Sequence, residues 1–373
     1  MPPDEIHRPL RVCYVQAYRA PQYIRGRSLC EALERTDSIT LSRAVNSSVG
    51  WRRYWEAISA LLRIRSQVSP DIYVLGFRGH EIAWLVRWLT RGQPLVLDAM
   101  MSPYAALHEE SKHGVSGRVA GPLVRLLERA VLAAADLVLT DTQAHVDYYA
   151  RTFGVPRSKL LAIPVGAEEA AVGPPPAPSD PSAPLRVLFY GSLLPLHGID
   201  TVLEAAAMLV DSPVAFEFVG GTPSQGRLLV RQCTAAGIAH RWRAWVPFQQ
   251  LIACEIPCAD VCLGGPFGGT PQARRVVTGK TSQCLALKKA TVIGRISEDV
   301  GFIDRENCLL VEQCDPSGLA DALRWCSVHR DRLPAIGAAG QQLYRQRLSI
   351  DTIANLLVPA LHQLAVANTK AAR

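Results

Sequence analysis

Glycines and cations crowd into one stretch of the chain, Gly264–Lys280 (GGPFGGTPQARRVVTGK), which runs into an apolar helical pattern over Thr281–Leu287. Glycines allow close backbone approach to a ligand. Arg274, Arg275 and Lys280 bring positive charge to the same place, a combination suited to two phosphates and a sugar ring. The competing reading is a loop with a solvated basic face. A second stretch, Phe189–Gly198 (FYGSLLPLHG), begins at the end of an apolar run and leads into a helical pattern near Ile199–Leu209. Gly191 permits close approach there, and a helix N-terminus with free N–H groups suits a diphosphate. The plainer reading is an ordinary strand-to-helix turn.

The elements that must hold these loops alternate between strand and helix. Apolar runs at Arg11–Val15, Ile72–Phe77, Leu95–Asp98 and Leu137–Thr140 read as strands, with helical stretches between them such as the one around Tyr23–Glu34. Continuous apolar strands separated by helices predict an α/β fold whose parallel sheet is covered on both faces. Residues 172–184 (VGPPPAPSDPSAP) read as an extended linker. The alternation then restarts, with strands expected at Leu185–Tyr190, Ala215–Val219, Val261–Leu263, Thr291–Ile293 and Cys308–Val311. This gives a first domain over 1–171, a second over 185–348, and a C-terminal helix over 349–373 that packs back toward the first.

Composition sets bounds on this reading. A chain of 373 residues suits two cores better than one, and 49% hydrophobic with 20% charged residues is a folded, soluble composition. The net charge of +7 fits anionic phosphates or an acidic membrane surface, while no basic run or motif marks nucleic-acid binding. Eight of the ten cysteines lie after residue 230 and none forms a CxxC pair. Scattered thiols suggest a reducing cytosol, and the spacing of Cys254, Cys258 and Cys262 does not favour a metal site. The N-terminus has no apolar signal core, and no uninterrupted apolar stretch reaches the ~20 residues that span a bilayer. A cytoplasmic location follows as the expectation, with peripheral contact at the inner face of a membrane as an addition to it.

The segments LRVLFYGSLLPLHGIDTVLEAAAML, VAFEFVGG, WVPFQQL, ADVCLGGPFGGTPQARRVVTGKTSQCLALKKATVIG and NCLLVEQCDPSGLADAL resemble, in order, those of bacterial retaining GT-B glycosyltransferases of the family 4-like, polysaccharide-assembly type. PDIYVLGFRGH, PLVLDAMMSPY and AADLVLTDTQAHVDYYARTFGVP extend the resemblance through the first half. It implies two Rossmann-like domains facing a cleft. The donor is a UDP-, GDP- or dTDP-sugar held mostly by the second domain, and a hydroxyl acceptor (a saccharide, a lipid-linked or a small molecule) is held by the first. It implies no cofactor and no metal, because cations and backbone amides stabilise the departing diphosphate. Carried over by position, Arg275 and Lys280 act on the diphosphate and Gly191 and Ser192 approach it. Gly268, Gly269 and Thr270 line the donor sugar, and Glu312 follows the last strand. The family's paired glutamates are replaced by Gly-Pro-Phe-Gly in the loop and by Gln283. Its first-turn arginine and lysine fall at Ser192 and His197. A subgroup with the pattern PLHG is similar in these respects.

The first domain offers His80, at a strand end in GFRGH, as a catalytic or positioning group for the donor sugar, and Asp98 as an acceptor contact. Around Asp141 and His145, helix capping by Thr140, Asp141 or Thr142 is the expected role. Trp51, Tyr54, Trp55, Ile58 and Leu61/Leu62 form a stripe on a basic amphipathic helix, expected to pack on the sheet, with membrane contact as the rival role. The leading function is retaining glycosyl transfer. A non-catalytic nucleotide-sugar-binding partner and a sugar-nucleotide epimerase stand as alternatives, and the absence of GxGxxG argues against a dehydrogenase.

Overall fold

The computed structural model describes residues 8–108, 114–169 and 183–371. These form two compact units. Residues up to Val165, together with those from Ile350, make the first, and Gly166–Ser349 the second. The predicted linker at 172–184 lies, over 172–182, outside the described residues.

The first unit runs β1 (Leu10–Gln16), α1 (Ile24–Glu34), β2 (Ile39–Val45), α2 (Arg52–Val68), β3 (Ile72–Leu75), α3 (Ala83–Leu89), β4 (Leu95–Asp98), α4 (Pro103–His108), α5 (Gly114–Ala134), β5 (Leu137–Thr140), α6 (Gln143–Phe153) and β6 (Leu160–Ala162). Its six parallel strands lie in the order β2-β1-β3-β4-β5-β6. Alternate residues of β1 enter different cores. Cys13 and Val15 join α2, α3 and α5 on one face, and Val12 and Tyr14 join α1 on the other. Burial on both faces explains why the inner strands read as unbroken apolar runs.

The second unit runs β7 (Leu185–Tyr190), α7 (Ile199–Ala207), β8 (Val214–Val219), α8 (Pro223–Ala235), β9 (His240–Arg243), α9 (Phe248–Gln250), α10 (Ile256–Cys258), β10 (Val261–Leu263), α11 (Gly279–Ala286), β11 (Ala290–Gly294), β12 (Leu309–Val311), α12 (Pro316–Val328) and α13 (Leu333–Arg347). Its parallel sheet has the order β12-β11-β10-β7-β8-β9. From the neighbours β7 and β10, chain order ascends outward in both directions. In the first sheet the same reversal falls between β1 and β3. Open α/β sheets bind ligands beyond the carboxyl ends of the strands at such a reversal.

The last helix, α14 (Ile350–Ala371), belongs to the first unit. Ile350, Ile353, Leu357 and Leu361 recur at helical spacing and are buried with Leu29 and Leu33 of α1. Arg330–Lys370 contains a window of mean hydropathy 1.3, apolar enough by length and composition to cross a bilayer although polar residues such as Asn355 and His362 interrupt it. That stretch is broken between α13 and α14 at Leu348–Ser349, and α14 uses its apolar stripe in a core.

The stripe predicted for α2 is only partly right. Ala57 and Leu61 are buried and Tyr54 and Ile58 pack beside them, but Trp51 and Trp55 are 74% and 71% exposed.

Candidate functional site

The loops after β7 and β10 flank the reversal of the second sheet, and they touch backbone to backbone. Gly268 N–H donates to the Leu196 carbonyl at 3.1 Å. Gly198 sits at φ 65°, and a Cβ there would overlap the Phe267 carbonyl carbon and the Gly268 nitrogen. A Cβ on Gly268 would overlap the Pro195 carbonyl oxygen. The glycines are therefore required for the two loops to meet. His197 Nδ1 closes the first loop on the Ser192 carbonyl, and Thr201 reaches the Phe267 carbonyl at 3.4 Å.

Lys280 stands at the first turn of α11, whose N-cap Thr278 accepts from Thr281 N–H and donates to the Gly264 carbonyl at 2.7 Å. The lysine is 7% exposed. Its ammonium lies 4.4 Å from the centre of the Phe189 ring and has no hydrogen-bond partner among the described residues. A Cβ built on Gly191 would lie 3.9 Å from Nζ, so the cation points at the strand-end glycine. Burial lowers the Lys280 pKa to about 7. Gln283 follows one turn later on the same helix face. Its Nε2 donates to the Glu168 carbonyl at 2.9 Å, which leaves the buried Oε1 unpartnered. A lone cation and a lone acceptor on one helix face, beside a glycine turn, form a site for an anion carrying a hydroxyl-bearing group.

Arg275 ends the 3-10 turn Ala273–Arg275, half-buried, and Thr270 Oγ1 caps that turn by accepting from Ala273 N–H at 3.1 Å. Gly269 is exposed against the Cys314 sulfur. The side chain of Glu312 is 63% exposed and pairs with Arg295 at 2.5 Å. From its segment, Gln313 and Cys314 reach the loops instead. Gln313 Nε2 donates to the Ala273 carbonyl at 3.0 Å, and Cys314 N–H to the Phe267 carbonyl at 2.9 Å.

Sequence reasoning missed Trp245, which follows β9 and is 56% exposed. A Cβ on Gly220 would lie 3.2 Å from its indole and within 2.6 Å of the Gly191 carbonyl oxygen, so an open aromatic face stands beside the glycine turn. Its place in the segment WVPFQQL was the signal the sequence offered.

In the first unit, His80 lies beyond β3 at the reversal of that sheet, with both ring nitrogens buried and without a hydrogen bond among the described residues. Its Nε2 is 3.9 Å from Glu128 Oε1, while Glu128 Oε2 accepts from Ser102 Oγ and Tyr104 N–H, each at 2.9 Å. Burial lowers His80 to about 4 and raises Glu128 to about 7. Native His80 binds fewer protons than the unfolded chain from about pH 4 to its ordinary 6.5, so it makes stability rise with pH. Native Glu128 binds more between its ordinary 4.5 and 7, so it makes stability fall. The two slopes oppose each other. Melting temperature should therefore climb across this window in Glu128→Gln, drop across it in His80→Asn, and vary least in the parent. A parent curve as steep as either variant would refute the pairing.

Asp98 also requires correction. It is fully buried, and Arg25 Nε contacts both carboxylate oxygens at 3.2 and 3.1 Å. Arg25 also donates to the carbonyls of Thr140, Ile163 and Pro164. Asp98 thus anchors strand ends and presents no surface to an acceptor. Capping around Asp141 falls to Thr142, which accepts from His145 N–H, while the Asp141 carboxylate meets His145 Nδ1.

Two six-stranded parallel sheets with flanking helices, one in each unit, are the architecture of the GT-B fold. Residues 7–166 match the family model described as a glycosyl transferase 4-like domain. That segment resembles such a domain, and the two-sheet frame has the fold of GT-B glycosyltransferases. Among solved structures, it is similar to a sucrose-phosphate synthase from Thermosynechococcus elongatus. The TM-score is 0.73 at 14% identity, covering 96% of this chain and 100% of that one. It is also similar to HepE from Anabaena in complex with UDP, with TM-score 0.69, 13% identity, and 95% and 100% covered. A glycosyltransferase from Rickettsia africae matches with TM-score 0.64 at 11% identity over 96% and 98%. No curated protein matches the sequence.

Proposed function

We propose that the protein is a retaining glycosyltransferase that draws on a nucleoside diphosphate sugar and delivers to a hydroxyl acceptor. The observation that carries this reading is Lys280, a buried ammonium lacking an anion and aimed at the glycine turn of the β7/β10 reversal. A diphosphate supplies the missing counter-charge. The oxygen of Gln283 accepts from a ribose hydroxyl, and the face of Trp245 stacks on the base. Support for a uridine donor comes from the related fold of HepE, solved with UDP and with UDP-glucose.

In the proposed reaction the bond from the anomeric carbon to the diphosphate oxygen breaks. The acceptor oxygen bonds to the same face of that carbon, and its proton passes to the departing diphosphate. Lys280 and Arg275 meet the charge that grows on the leaving group, which is the part a metal would otherwise play. Within the first unit, the neutral ring of His80 can donate or accept one hydrogen bond to a hydroxyl.

The test is a panel of UDP-, GDP- and dTDP-sugars, read by calorimetry and by diphosphate release with acceptor present. UDP should bind most tightly, and Trp245→Ala should weaken it by about 1–3 kcal/mol, the worth of one base–aromatic stack. Absence of binding by every nucleotide would end the proposal. A second reading, a non-catalytic nucleotide-sugar-binding partner, draws on Gln283 standing where the family's glutamate falls. Tight donor binding without release would favour it, and a changed sugar with no acceptor would instead mark an epimerase.

A further inference from the structure

Four of the seven tryptophans, Trp51, Trp55, Trp84 and Trp88, stand on one helical layer of the first unit. They are exposed by 74%, 71%, 54% and 56%. Each pair is spaced by four residues, one helical turn, so each pair shares a face. The opposite faces fill the core with Ala57 and Leu61 from α2 and with Ala83, Val86 and Leu89 from α3. The two helices are neighbours, because Arg53 at 2.9 Å and the Tyr54 hydroxyl both reach Glu81 just before α3. On the other side of α3 lies α5, which exposes Leu123, Leu126 and Leu127 by 61%, 63% and 52%. The outward surface of three adjacent helices is therefore aromatic and aliphatic where a solvated layer would be polar.

Among the described residues, the exposed charges around it that make no ion pair have one sign. Arg52, Arg63, Arg65, Arg91, Arg125 and Arg129 are exposed on or beside these helices. The acids of the same elements are engaged within the unit. Glu56 accepts from the N–H groups of Ser47 and Ser48, Glu81 holds Arg53 and Arg78, Asp136 holds Arg87, and Glu128 is buried. Tryptophan rings favour the boundary between acyl chains and headgroups, and arginines favour lipid phosphates. We propose that this α2–α3–α5 face docks the protein on an anionic lipid bilayer, with the indoles at that boundary and the arginines on the phosphates.

The test is flotation of the full chain with phosphatidylcholine vesicles made with or without phosphatidylglycerol, and it needs no sugar donor. The protein should float with the anionic vesicles at low salt, stay down with the neutral ones, and be released as salt rises. Trp84→Ser/Trp88→Ser should lower the bound fraction at least about tenfold, since its binding scales with buried apolar area. Arg63→Glu/Arg129→Glu should abolish the preference for the anionic lipid. All four positions are exposed, and an unchanged melting temperature verifies the fold. No flotation at low salt, or flotation untouched by both variants, overturns the proposal. A dimer that the tryptophan variant dissociates, with no flotation, assigns the face to a second copy of the chain.

Discussion

Lys280→Met should leave the ligand-free protein at least as stable as the parent while weakening UDP binding at least tenfold, roughly 1.4 kcal/mol, with a similar loss of turnover. The two effects share one cause. The ammonium is buried without a hydrogen-bonding partner among the described residues, so the ligand-free protein offsets its desolvation only in part, through the Phe189 ring. Methionine fills similar volume beside Phe189 and removes that burden, but offers nothing to a diphosphate. An ordinary structural lysine would give the opposite first result. The pH dependence has a definite sign. With the native pKa near 7 and the ordinary value 10.5, the native state binds fewer protons than the unfolded chain between those limits, so parent stability rises with pH there. An anion favours the charged lysine, so UDP affinity should be flat below about pH 7 and fall above it. Both slopes should vanish in Lys280→Met. Calorimetry and melting curves across that range check the set, and a variant that binds UDP as the parent does would remove Lys280 from the site.

The second large effect belongs to stability. Asp98→Ala leaves the Arg25 guanidinium buried without its carboxylate and should cost about 3–5 kcal/mol. Arg25→Met should cost a similar amount, since it strands Asp98 and removes donors from three carbonyls. The double variant Arg25→Met/Asp98→Leu should cost less than the sum of the two, because each single change leaves an uncompensated charge that the pair does not. Denaturant unfolding measures all three. An acceptor-binding role would instead show as a raised acceptor KM in Asp98→Ala with stability intact.

These two residues show what could be read from the chain. The placement of Lys280 at a helix start was legible because the glycines, cations and helix start that define its surroundings are contiguous in sequence. Asp98 was misread because its partner Arg25 comes from a distant helix, and only the sheet brings them together. A strand-end aspartate looks the same whether it faces a ligand or an arginine. His80 was found by position, but Glu128 beside it was invisible for the same reason. The fold followed similar logic. The inner strands were found as apolar runs, Leu95–Asp98, Leu137–Thr140, Leu185–Tyr190 and Val261–Leu263 with their limits intact. The three missed strands, β2, β6 and β9, are all at sheet edges, where partial exposure lets in residues such as those of His240–Arg243. Periodicity also could not separate the two sides of α2, because tryptophans four residues apart mark a face without saying what it meets.

The return of α14 to the first unit has a consequence for the order of synthesis. The lower core of the first sheet is roofed partly by Ile353, Leu357 and Leu361, which the ribosome makes only after the whole second unit. Until then the nascent first domain exposes a strip of α1 and β1 that nothing earlier in the chain can cover. The second unit, continuous in sequence, has no such debt: its core can close as soon as its own residues are made, whereas the first must wait for the last helix.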